Sequence, residues 1–200
     1  MRGMTQGDPA PRVEAGADER LMRGLHRLPD PAIWGAVVGA VGASVFVNAY
    51  RGVLPQPVSL AAMALWLVEL VVFAWALLVR PRLFPDRGPV PRNAPFVYVG
   101  SVVAMIALIQ VGRIVLDLTG RPLLLPTLIV LAVGTHFLPF AQAFRAPMFT
   151  TLGIVMVTAG VLGLGLGLVL GSWAAAGSAV VAGLAMLAVI TQNALRPLRS

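Results

Sequence analysis

Glu69, Arg113, Asp117 and His136 are ionisable side chains set inside long apolar runs, and what each can do depends on what it meets there. Glu69 stands near the middle of the run from Val58 to Val79. A carboxylate at the centre of a bilayer costs several kcal/mol unless it is paired, hydrated or protonated. Glu69 therefore either ties helices together or handles an ion.

Gln110, Arg113 and Asp117 follow an i, i+3, i+7 pattern, which puts them on one helical face with Arg113 one turn from Asp117. Such a face must avoid lipid. With a rise of about 1.5 Å per residue, Arg113 lies roughly 9 Å outward of its span's centre, and Asp117 lies near the surface. A guanidinium at that level can bridge Glu69 and Asp117 in a buried triad. The alternative is that Arg113 snorkels to the headgroups beside Asp117.

A third cluster is Gly134-Thr135-His136-Phe137-Leu138-Pro139-Phe140-Ala141. Pro139 leaves the Thr135 carbonyl without its usual helical donor. That carbonyl, the Thr135 hydroxyl and the His136 ring then form a polar notch about 6 Å inward of mid-depth, able to exchange protons or hold a small polar solute. The plainer reading is a histidine hydrogen-bonded to a neighbouring helix and a proline that kinks its own.

The elements that must position these groups are membrane spans. Of 200 residues, 58% are hydrophobic and 12% charged, with a mean hydropathy of +0.86, which is the composition of a polytopic membrane protein. The expected fold is an all-α bundle of six transmembrane helices, at about 31–50, 58–79, 95–118, 122–144, 148–171 and 173–195, each near the 20 residues or so a bilayer requires. Asp30-Pro31 supplies a cap and first-turn pair, Pro57, Pro95 and Pro122 open three further spans, and Gly120 and Gly171 suit helix ends. The polar first thirty residues, with Asp8, Glu14, Asp18 and Glu19, lack the order of a secretory signal, so the first span is expected to be retained.

Arginine sets the orientation. Arg2, Arg12, Arg20, Arg23, Arg27, Arg80, Arg82, Arg87, Arg92, Arg145, Arg196 and Arg199 fall on one side of a six-span layout, with only Arg51 and Arg121 opposite. By the positive-inside rule both termini are expected in the cytoplasm. All fifteen basic residues are Arg, which suits a genome rich in G and C, and the expected location is a bacterial inner membrane. The tail 1–30 is expected to be disordered and then to form a short amphipathic interfacial helix, with Leu21, Met22, Leu25 and Leu28 at helical spacing, or else to be a solvated topology-setting tail. Pro81, Pro85, Pro89 and Pro91 make the loop before the third span an extended spacer, and 196–200 is a short tail.

Small residues predict the packing. Gly163, Gly167 and Gly171 repeat every four residues in the fifth span, with Gly153 and Gly160 as further close-approach points. Gly35, Gly39 and Ala43 mark the first span and Ala175, Ala179 and Gly183 the sixth, so these three helices are expected to pack tightly together.

The chain from Gly134 to Ala141 resembles the G-x-H-F-x-P-x-A signature of small bacterial multi-span membrane proteins classed as domains of unknown function, with Gly134, His136, Phe137, Pro139 and Ala141 at the matching positions. The resemblance implies a six-span architecture and no particular activity.

Three function classes follow. A small transporter or channel for a proton, ion or small polar solute would use Glu69, Arg113 and His136 in one shared pathway. A structural or accessory subunit would use the glycine faces and the basic surface to meet a membrane partner or a second copy. An intramembrane enzyme is the weakest reading, since the sequence lacks G-x-S-x-G, H-E-x-x-H and any close pair of catalytic carboxylates within the spans. The glycines at 165 and 167 lie in a span with no preceding strand, so they are no dinucleotide site. Without Cys and with only two His, no metal centre or other cofactor is expected. The basic residues flank spans, so the expected partners are the bilayer and other membrane proteins, and nucleic acid is not among them.

Overall fold

A computed structural model describes residues 31–79 and 91–195. The expected interfacial helix, both tails, Asp30 and most of the proline-rich loop lie outside the described residues. Six helices make up the described chain: α1 (Pro31–Tyr50), α2 (Gln56–Leu78), α3 (Ala94–Leu118), α4 (Leu125–Ala143), α5 (Pro147–Leu170) and α6 (Ser172–Leu195). Single 3-10 turns at Arg51–Val53 and Pro122–Leu124 lead into α2 and α4. All six are long and apolar enough to cross a bilayer, α4 together with its leading turn. The protein is an integral, multi-pass membrane protein.

Proline and glycine punctuate the chain as their backbone chemistry requires. Prolines sit in the first turn of α2, α3, α4 and α5, where the missing N–H has no partner to lose. Pro147, which opens α5, was not marked by the pattern of the sequence alone. Gly171 takes φ +88° and turns the chain between α5 and α6 in one residue, a conformation only glycine adopts freely. It is therefore a helix end and not a rung of the packing ladder, and a Cβ there would meet nothing within 4 Å. Helix α4 runs on through Pro139.

The bundle is built around α6. Its membrane-spanning stretch is 61% buried, against 6% for α3. Helix α6 packs against α5, α1 and α2, α5 packs against α4, and α4 in turn carries α3. Phe149, Leu152, Met156, Met186, Leu187 and Ile190 fill the centre. In lipid the gain from such contacts is dispersion and close fit, because hydrocarbon solvates an apolar side chain about as well as protein does.

The glycine faces act where backbones nearly touch. A methyl at Gly183 would stand 2.9 Å from the Ala43 carbonyl oxygen on α1. Gly39 faces Ile190, Gly35 faces Phe149, Gly163 faces Ser178 and Thr127, and Gly167 faces Leu124 and Ala175. Ala175 and Ala179 are fully buried. Of the association expected of α1, α5 and α6, the structure has α1 on α6 and α5 on α6, with α6 between the other two. The most extensive contact, α4 on α5, lies elsewhere: a Cβ at Gly160 would meet the Leu131 backbone nitrogen at 2.8 Å, and one at Gly134 the Val157 nitrogen at 2.6 Å.

Candidate functional site

Helix α3 rests on α4 through a narrow seam, with Ala94 fully buried and Gly112 against Leu128. The face bearing Gln110, Arg113 and Asp117 points away from that seam and is exposed. Arg113 Nε lies 3.9 Å from Asp117 Oδ2, with the two side chains 62% and 57% exposed. At that distance the pair is a loose ion contact and not a hydrogen bond. The stripe does share one face, as its spacing requires. That face, however, lies outside the bundle.

Glu69 is elsewhere. It belongs to the inward face of α2, together with Ala62, Trp66, Phe73 and Ala76, which packs on α6 and the end of α1. Trp66 Nε1 donates to Ser44 Oγ at 3.0 Å, and Ser44 Oγ donates to the Ala40 carbonyl at 2.8 Å. One step along this face, Glu69 Oε2 is buried with no hydrogen-bond partner among the described residues. Helices α4 and α6 stand between α2 and α3, so the triad of Glu69, Arg113 and Asp117 does not form. Depth alone had placed the three groups within reach. Their helices are on different sides of the bundle.

His136 lies in the α3–α4 seam. Its ring centroid is 6.3 Å from Tyr98, 5.5 Å from Phe137 and 6.1 Å from Phe140, and its polar neighbour is the Ser101 backbone on α3. Nδ1 is buried without a hydrogen-bond partner among the described residues. Thr135 takes no part: it faces outward, and its hydroxyl donates to the Ala132 carbonyl at 2.9 Å. Successive helical residues are about 100° apart, so Thr135 and His136 open on different sides and the expected notch is not made.

What surrounds His136 is an aromatic cluster. Phe140 meets Phe149 edge-on at 4.6 Å and Phe144 at 4.5 Å, and Phe137 stacks on Phe149 at 6.0 Å. Tyr98 and Phe149 come from α3 and α5 and were not singled out in the sequence. The legible signal was the i, i+3, i+7 spacing of Phe137, Phe140 and Phe144. Gly134 serves the packing of α4 on α5, so three positions of the octapeptide (Gly134, Phe137 and Phe140) have a structural role in this bundle.

Among the described residues no three His, Asp or Glu side chains come together as a metal site. No family model, curated protein or solved structure matches the chain.

Proposed function

We propose that the chain is a structural or accessory subunit of a membrane complex and that it joins its partner through the outer face of α3. The observation that carries this reading is the exposure of Gln110, Arg113 and Asp117 on a helix that, among the described residues, packs on α4 and the turn leading into it. Polar groups at membrane depth ordinarily face protein or a water-filled cavity, because lipid offers them no hydrogen bonds. A partner helix presenting polar groups to Gln110 and Arg113 would satisfy them.

Transport through the bundle would need Glu69, Arg113 and His136 to converge on one pathway. They stand against α1 and α6, outside α3 and inside the α3–α4 seam, an arrangement that lends a shared route no support. The alternative disposition of α3, with Arg113 and Asp117 both reaching the headgroups, leaves Gln110 facing hydrocarbon.

Gentle extraction tests the proposal. The tagged chain should leave the membrane in a particle larger than its own 21.0 kDa protomer, with a partner chain or a second copy in fixed ratio. The double variant Gln110→Leu with Arg113→Leu should reduce that particle to the monomer. A wild-type chain that is monomeric in several mild detergents contradicts it.

A further inference from the structure

Helices α2 and α5 both pack on α6 without packing on each other, and the gap between them opens sideways from the bundle. It is a groove of about 880 Å³, walled by Leu54 and Leu65 on the α2 side and Leu162 on α5, with Gly177 and Val181 of α6 as its floor. Its lining is nearly all hydrocarbon. Ser178, one of its few polar residues, donates its hydroxyl to the Ala175 carbonyl at 2.8 Å and so offers little to a polar ligand.

Length decides what fits. The groove extends along α6 from Trp173 to Ala185, about 18 Å at helical rise, and along α5 from Leu170 to Ile154, about 24 Å. Beyond it, buried Phe73 and Ala76 close α2 onto the bundle. The groove is thus longer than one leaflet's hydrocarbon, about 15 Å, but stops short of the full core of about 30 Å. A spanning helix would run past the closed end.

The open end carries the features of a headgroup boundary. Arg51 stands one 3-10 turn before Leu54, and its Nε donates to Asn48 Oδ1 at 3.3 Å, which orients a guanidinium that has further donors to give. Exposed Trp173 lies at the same level, where an indole prefers the membrane interface.

We propose that this groove holds the hydrocarbon chain of a phospholipid from the leaflet on the Arg51 side, with the lipid phosphate at Arg51. A guanidinium matches a phosphate in charge and geometry. The apolar slot below it suits a hydrocarbon chain. This site is independent of what α3 does.

The test uses the full chain in vesicles of phosphatidylcholine and phosphatidylglycerol with a trace of phospholipid carrying a photoactivatable diazirine on its acyl chain. After irradiation and peptide mass spectrometry, adducts should be severalfold denser at 154–166 and 174–185 than at Val41 and Val45, which are exposed on α1 outside the groove. Val181→Trp, which adds bulk to the floor, should remove the excess. Val169→Trp, exposed on α5 and outside the lining, should leave it intact. Even labelling of all exposed apolar positions, or an excess that survives Val181→Trp, would mean general annular lipid and overturn the proposal. Cross-links from the groove to another protein chain would overturn it too.

Discussion

Trp66 donates its indole N–H to the Ser44 hydroxyl at 3.0 Å, a side-chain hydrogen bond that ties α2 to α1 in a region where lipid could replace neither partner. Interhelical bonds of this kind are worth about 0.5–2 kcal/mol in bilayers. Trp66→Phe and Ser44→Ala should each lower the unfolding free energy by about 1 kcal/mol, and the double variant by less than the sum of the two. Equilibrium unfolding in mixed micelles checks this. Strict additivity would mean the two side chains do not interact.

Gly183 and Gly165 should respond oppositely to added bulk. The Ala43 carbonyl that a Gly183 Cβ would meet is backbone and cannot swing aside, whereas a Cβ at Gly165 meets nothing within 4 Å. Gly183→Val should cost about 2 kcal/mol or more by forcing α1 off α6. Gly165→Ala should be neutral or stabilising by up to about 1 kcal/mol, the usual helical preference for alanine over glycine. Thermal midpoints of the two purified variants separate the cases.

Glu69→Gln should leave the thermal midpoint unchanged or raise it. Removing one member of a buried ion pair is strongly destabilising, but Glu69 Oε2 has no hydrogen-bond partner and Arg113 belongs to a helix beyond α4. Among the described residues the substitution therefore breaks no pair at Oε2. A clear fall in midpoint would show that the carboxyl anchors the bundle after all.

The spans were readable because hydrocarbon thickness sets helix length and proline sets helix starts. Pro31–Tyr50 was placed to the residue, and α2, α3 and α6 begin within two residues of expectation. Neighbours were harder to read. The spacing of Gln110, Arg113 and Asp117 fixes a face of α3, but a stripe that avoids lipid looks the same whether its partner is in the same chain or in another. Glu69 was placed at a depth, and depth says nothing of azimuth around the bundle. A four-residue glycine period also does not tell a packing rung from a helix end. Gly163 and Gly167 proved to be the first and Gly171 the second. The aromatic surroundings of His136 needed α3 and α5 to be brought to α4, which no local pattern encodes.

The outer face of α3 is where the account is most exposed to test, and the chain contains no native cysteine to interfere. A single cysteine at Gln110, treated with a short bifunctional maleimide in native membranes, should give one discrete cross-linked species, while a cysteine at Val41 on α1 should give none. If the 110 cysteine yields only uncross-linked protomer, and a spin label there reports the same oxygen access as one at Val41, then α3 faces lipid and the subunit reading is wrong.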